Sequence, residues 1–218
     1  MKKKILSVCM ACAMTLGLLT GCGAPAATEQ TVETVTPDVP VTGTWTVPDG
    51  ASLEFAEDGT YTDTSKKNRT GTYLFPKENS DFKLAKIFES VEYITCTGDD
   101  GKQAASGAVL QDVMIVYSDL DSKERYYFRD GRDAVKPEAI LGKWEDVYDA
   151  ESTMEFTEDG KLYAFDDTSS YTVGQAEFGT CVTVDDGESQ ARYAAAVYER
   201  YLILVNVESS SMYLLVKR

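Results

Sequence analysis

The chain has 218 residues, a formal net charge of −15 and no histidine, and its composition is 43% hydrophobic and 11% aromatic. This negative charge argues against nucleic acid as a partner, and the apolar content is that of a folded protein rather than a disordered acidic chain. Without histidine, the Ser-His-Asp and Cys-His catalytic arrangements and histidine-ligated zinc are excluded.

The first residues have the order of an export signal. Three lysines at positions 2–4 are followed by a largely apolar stretch over 5–19 and then by small residues before Cys22. About 15 apolar residues are fewer than the roughly 20 that a membrane-spanning helix needs. We therefore predict a signal peptide over residues 1–21. Its removal takes the three lysines away and leaves a charge of −18.

The end of this signal resembles the lipobox of bacterial lipoproteins, on the residues Leu19-Thr20-Gly21-Cys22. In that family the cysteine thiol is joined to diacylglycerol and becomes the new N-terminus. The resemblance implies that Cys22 is the lipidation site and that the protein is anchored at the extracytoplasmic face of the cell membrane, since two or more acyl chains anchor stably. The alternative is an ordinary secretory peptide with an incidental cysteine.

Residues 22–42 are predicted to be the lipidated cysteine followed by a flexible linker. The segment consists mainly of Ala, Thr, Glu, Val and Pro and has no periodicity. A linker of this length spans about 25 Å on average, which lifts the folded part away from the headgroups. Because the mature chain is acidic, we expect it to contact the membrane through the lipid alone.

An internal repeat organises the remaining chain. Gly43-Thr44-Trp45 recurs as Gly142-Lys143-Trp144, and the segment from Leu53-Glu54-Phe55 to Asp58-Gly59 recurs from Met154-Glu155-Phe156 to Asp159-Gly160. Each copy then ends with two apolar segments. The chain therefore contains two copies of one unit.

Both copies predict strands. Apolar and polar residues alternate on either side of the Asp-Gly pair, which is typical of a hairpin. Only residues 82–90 and 136–141 allow a short helical turn, and the second of these is the stronger candidate. We predict an all-β protein with two tandem small antiparallel meander barrels, over residues 43–132 and 133–218.

The repeated motifs resemble the small lipocalin-like domains found on lipoproteins of Gram-positive gut bacteria. Gly43-x-Trp45 and Gly142-x-Trp144 carry the resemblance together with the Phe-x-x-Asp-Gly hairpins, and it covers nearly all of the mature chain. At the end of a barrel, glycine permits close backbone approach. The tryptophan fills that end while its indole N–H reaches a carbonyl group.

The size of the inward side chains decides whether such a barrel is filled or hollow, because eight strands enclose space for side chains or for one small ligand. The candidates are large, so we predict packed interiors. They are Phe55, Tyr73, Phe75, Tyr93, Ile115, Tyr127 and Phe128 in the first copy and Phe156, Phe165, Tyr171, Tyr193, Leu204 and Tyr213 in the second.

Two cysteines remain in the mature chain, Cys96 and Cys181, each a few residues before an Asp-Asp-Gly sequence. One hypothesis is a single disulfide between them, formed in an oxidising exterior. The other, which we favour, is a pair of unlinked strand thiols inherited by duplication, because sequence does not show Cα atoms within the roughly 7 Å that a disulfide requires.

Neither an enzyme nor a cofactor or metal site is predicted. The carboxylate pairs Glu54 with Asp58 and Glu155 with Asp159 fall at the hairpins, where aspartate builds the turn and glutamate faces solvent. No Asp-rich turn has the spacing of a calcium-binding loop.

Two functions stay open. The first is a non-enzymatic binding module for a small ligand, a cell-surface protein or a glycan. The alternative is a structural, inhibitory or assembly protein of the cell envelope, with filled barrels and no pocket. A cavity above about 300 Å³ favours the first function, and filled cores favour the second.

Overall fold

The structure is a computed structural model that describes residues 32–64, 68–78, 87–88, 91–119, 122–164 and 167–218. The predicted signal peptide, Cys22 and the first part of the predicted linker lie outside these residues, as do Phe165 and most of residues 82–90. No helix in the described part of the chain is long and apolar enough to span a bilayer.

The first repeat forms a closed barrel of eight antiparallel strands connected in sequence order. The first strand pairs with both the second and the eighth, which closes the ring. The strands are β1 (Gly43–Thr46), β2 (Ser52–Phe55), β3 (Thr60–Asp63), β4 (Arg69–Leu74), β5 (Glu92–Gly98), β6 (Gln103–Leu110), β7 (Val113–Ser118) and β8 (Lys123–Arg129).

A short helix, α1 (Pro137–Ile140), leads into the second repeat and confirms the helical turn predicted within 136–141. The second repeat is another closed antiparallel barrel, so the all-β prediction of two tandem barrels is confirmed. Its strands are β9 (Gly142–Asp146), β10 (Thr153–Phe156), β11 (Lys161–Ala164), β12 (Asp167–Ala176), β13 (Gly179–Asp185), β14 (Gln190–Tyr198), β15 (Tyr201–Asn206) and β16 (Met212–Lys217).

The repeated Asp-Gly pairs lie in the β2–β3 and β10–β11 turns. Gly59 has φ +85° and Gly160 has φ +77°, the left-handed region that glycine adopts at low cost. Asp58 Oδ1 accepts hydrogen bonds from the N–H and hydroxyl of Thr60, at 3.0 and 2.6 Å. The turn chemistry therefore sets where each hairpin reverses.

Three apolar cores hold the molecule together: one lies inside each barrel, and a third lies between the barrels. The third core is formed by the outward faces of β6–β8 and β14–β16, and Ile115, Phe128, Ile203 and Leu214 are fully buried in it. Tyr201 also donates a hydrogen bond from its hydroxyl to the Ile87 carbonyl across this interface, at 2.8 Å.

This interface corrects the prediction that Tyr93, Ile115 and Phe128 point into the first barrel, because all three pack in the core between the barrels. Their strand neighbours Ile94, Met114 and Tyr127 point inward instead. In β7 the first four residues, 113–116, are all apolar and all buried, so both faces of this part of the strand are covered. Periodicity does not distinguish the two faces of such a strand.

The predicted flexible linker is also corrected over residues 32–42, which run along the first barrel and which we name the strap. The Val35 N–H donates to the Phe75 carbonyl, and the Lys77 N–H donates to the Glu33 carbonyl, both at 2.9 Å. Val41 is only 3% exposed and belongs to the core of the first barrel. The strap is ordered because its backbone and one valine find partners that its composition does not reveal.

Candidate functional site

The repeated tryptophans are structural in both barrels. Trp45 and Trp144 are fully buried, and each indole Nε1–H donates to the carbonyl four residues earlier in the chain. Gly43 and Gly142, two residues before them, have φ of +114° and +106°, respectively. Neither tryptophan lines a cavity of the second barrel. The Gly-x-Trp residues therefore hold the preceding segment against each barrel.

The second barrel contains a cavity of about 420 Å³. Its apolar wall is made by core residues of that barrel: Met154, Phe156, Leu162, Val184 and Leu204. These side chains come from four different strands, so the cavity lies inside the ring rather than on its outer surface. A space of this size falls in the range of small-molecule pockets, about 300–1,000 Å³.

The rim of the cavity is polar and acidic. Asp167, Asp186 and Glu188 line it, and all three are exposed. Asp186 is fixed by hydrogen bonds from the N–H groups of Glu188 and Ser189, at 2.8 and 2.7 Å. These bonds, that from Glu188 first, hold the pKa of Asp186 below its usual value, so its carboxylate is ionised at neutral pH.

Two tyrosines complete the wall. Tyr193 of β14 and Tyr213 of β16 both line the cavity, and their ring centroids lie 6.1 Å apart. Burial raises the pKa of Tyr193, which keeps its phenol neutral at neutral pH. The cavity thus combines aliphatic groups, aromatic rings and carboxyl groups.

The first barrel is filled at the corresponding place. Only about 20 Å³ remains there, among side chains that include Tyr61, Arg125 and Tyr127. That space holds at most a single water molecule. The Tyr61 hydroxyl lies in this region and has no hydrogen-bond partner among the described residues, and burial raises the pKa of Tyr61 to about 12. The prediction of a packed interior therefore fits the first barrel and not the second.

One pair of equivalent positions accounts for part of this difference. Tyr61 lies opposite Phe55 in the first barrel, and Leu162 lies opposite Phe156 in the second. The next inward residue of each strand is Asp63 in one case and Ala164 in the other. The signal in the sequence is that the second copy has smaller side chains, Leu162 and Ala164, where the first has Tyr61 and Asp63. A residue-by-residue comparison of the two copies would have indicated the cavity.

The two cysteines are free thiols on separate barrels. Cys96 belongs to the interior core of the first barrel, while Cys181 points away from the interior of the second, because its neighbour Val182 is part of that core. The thiols are not at equivalent positions either. Tyr73 pairs with Cys96, whereas its counterpart Tyr171 pairs with Val184. Both the disulfide and the inheritance by duplication are therefore corrected.

The aspartates of the two hairpins are held by hydroxyl groups within their own turns. Asp58 and Asp159 accept hydrogen bonds from threonine hydroxyls within their own turns, both at 2.6 Å. Among the described residues, no group of three or more acidic, cysteine or histidine side chains is arranged to hold a metal ion. The predicted lipidation site, Cys22, lies outside the described residues.

No protein-family model matches the chain, and no curated protein or solved structure matches it either. The proposed function therefore rests on the cavity of the second barrel and on the sequence motifs.

Proposed function

We propose that the protein is a lipid-anchored, extracytoplasmic binding protein whose second barrel holds a small ligand. The observation that carries this proposal is the cavity of about 420 Å³ inside the second barrel. Its apolar wall and polar rim are the usual composition of a small-molecule pocket, in which apolar groups supply burial and a few polar groups set orientation.

The first barrel has a structural role in this proposal. Its interior leaves only about 20 Å³, and its outward face is buried against the second barrel. It connects the strap to the binding barrel and covers apolar strand faces that would otherwise meet water. In this proposal the alternative function, a structural role with a filled barrel, applies to the first barrel alone.

The anchor is supported by the resemblance of residues 19–22 to a lipobox. Its test is growth of cells producing the full chain with an alkyne-labelled fatty acid, followed by fractionation. The wild type should incorporate the label and sediment with membranes. The Cys22→Ser variant should do neither, and equal labelling of the two proteins would contradict the anchor.

Ligand binding is tested on the full-length protein purified from its own host and compared by native and denaturing mass spectrometry. A small molecule that accompanies the wild type and leaves on denaturation is the expected result. The matched variant is Leu162→Tyr, which gives the second barrel the side chain that occupies the equivalent position of the first. It should carry markedly less ligand.

The control for this experiment is Tyr61→Leu, which makes the reverse exchange in the first barrel, away from the cavity. This variant should retain the ligand of the wild type. A bare mass for the wild type, or equal ligand in wild type and Leu162→Tyr, would contradict a ligand site in the second barrel.

A further inference from the structure

We infer that the cavity of the second barrel selects a small organic cation, with an apolar body inside the barrel and an ammonium group among the rim carboxylates. This inference rests on the proposed binding function and names the class of ligand. Three features of the cavity carry it: its charge, its aromatic wall and the contrast with the first barrel.

The charge of the rim is one-sided. Asp167, Asp186 and Glu188 line the cavity, and none of the described residues lining it is Lys or Arg. An anionic ligand would be repelled by three carboxylates, and a neutral apolar ligand would gain nothing from them. A cation gains attraction while its apolar part is buried, and the chain's net charge of −15 acts in the same direction.

The first barrel retains only about 20 Å³ at the corresponding place, and it has arginines at two positions that correspond to residues lining the cavity of the second. Asp63 lies opposite Arg69 at the end of β3, where the second barrel has Ala164 opposite Asp167. An opposed aspartate and arginine in the first barrel are thus alanine and aspartate in the second. The net charge of these two positions changes from zero to −1, and the aspartate of the second barrel lines the cavity.

A second exchange is found on the last strands. Arg129 lies 4.5 Å from the centroid of the Trp45 ring, and Lys217 occupies the same place 5.2 Å from that of Trp144. Four residues earlier on the same strands are Arg125 in the filled barrel and Tyr213 in the hollow one. A second cation has therefore been replaced, this time by an aromatic ring.

The aromatic wall suits the same ligand. Tyr193 and Tyr213 are inclined at 57° with their centroids 6.1 Å apart, and both line the cavity. The faces of phenol rings carry negative potential and attract ammonium groups within about 6 Å. Aliphatic side chains such as Leu162 and Leu204 bury the remainder of the ligand.

The experiment uses three water-soluble probes of nearly equal size: phenethylamine, 2-phenylethanol and 3-phenylpropanoate. Their binding to the full-length protein in a non-ionic detergent is measured by titration calorimetry at neutral pH. Phenethylamine should bind at least tenfold more tightly than the alcohol, and the carboxylate should show no binding. Raising the salt concentration should weaken the amine's preference, because exposed carboxylates are screened.

The matched variant is Asp167→Asn combined with Glu188→Gln, which keeps the size of both side chains and removes their charge. Asp186 is left unchanged because it holds its own turn. In this variant the affinity for phenethylamine should fall to within about threefold of that for 2-phenylethanol, while 2-phenylethanol binds as it does to the wild type. Retention of the full tenfold preference would overturn the role of the carboxylates.

Two further variants test whether phenethylamine binds inside the second barrel. Leu162→Tyr should abolish binding of phenethylamine, with circular dichroism showing that the variant is folded, and Tyr61→Leu should leave binding unchanged. If the three probes bind equally and Leu162→Tyr abolishes all of them, the cation class is wrong while the binding function stands. If phenethylamine does not bind, or binds equally to Leu162→Tyr, the cation site in this barrel is overturned.

Discussion

The indole Nε1–H of Trp45, in the first strand of its barrel, donates a hydrogen bond to the carbonyl oxygen of Val41 in the strap, 2.8 Å away. Trp144 makes the same bond to Ile140 in the second barrel, at 2.6 Å. The spacing of four residues is thus repeated, although Val41 belongs to an extended strap and Ile140 to a helix.

We expect Trp45→Phe to lower the free energy of unfolding by about 1–3 kcal/mol, because a buried carbonyl loses its donor. Trp144→Phe should have an effect of similar size in the second barrel. Chemical unfolding followed by circular dichroism measures both. Tyr163→Phe, at a residue that is 43% exposed, is the control and should be close to neutral. A loss no greater than that of the control would show that the indole hydrogen bonds contribute little.

The core between the barrels predicts that they unfold together. Ile115 of the first barrel and Ile203 of the second are fully buried in one cluster, so neither barrel covers its outward face alone. Ile203→Ala should destabilise the protein by about 2–5 kcal/mol, and Ile115→Ala should do the same. Calorimetry should show a single transition that moves to lower temperature in both variants. Two separate transitions, with only one of them shifted by each variant, would show that the barrels are independent.

The sequence predicted the elements that depend on local chemistry. The positions of the Asp-Gly turns follow from the turn residues. The internal repeat indicates the Gly-x-Trp strands and the meander order of both barrels. The sequence did not predict the direction of Ile115, because residues 113–116 of β7 are buried on both faces. Nor did it predict the hollow barrel, since cavity volume depends on how Leu162 and Ala164 meet side chains from distant strands.

The strap is held to the first barrel by a carboxylate. Glu92 accepts hydrogen bonds from the N–H groups of Asp38 and Val39, and Arg129 donates to the Pro40 carbonyl. Hydrogen bonds to an ionised acceptor are about twice as strong as neutral ones. Glu92→Gln should therefore loosen the strap and increase the rate at which a low-specificity protease cleaves it.

The control for the strap is Glu33→Gln, which removes an exposed ion pair with Lys77. Exposed pairs of this kind contribute about 0–1 kcal/mol, so cleavage should proceed at nearly the wild-type rate. Cleavage sites are assigned by mass spectrometry of the early fragments. Equal cleavage of Glu92→Gln and the wild type would contradict the role of Glu92.

We expect stability at alkaline pH to depend on the buried thiol of Cys96. Burial, with a smaller contribution from Asp63, raises the pKa of this thiol from 9.0 to about 12. Above pH 9 the unfolded chain releases this proton while the folded chain keeps it, so ionisation favours unfolding. The stabilisation is complete below pH 9 and is lost progressively as the pH rises towards 12.

Cys96→Val removes the titrating group and places there the residue type that pairs with Tyr171 in the second barrel. Between pH 9 and 12 the unfolding free energy of the wild type should fall faster than that of the variant, by about 1.4 kcal/mol per pH unit. Urea unfolding at pH 7, 9 and 10.5 measures the difference. Burial first and the Cys96 charge second raise the pKa of Tyr61, so the difference between the two profiles reports the thiol together with its effect on Tyr61. Parallel pH profiles would show that Cys96 does not ionise on unfolding in this range.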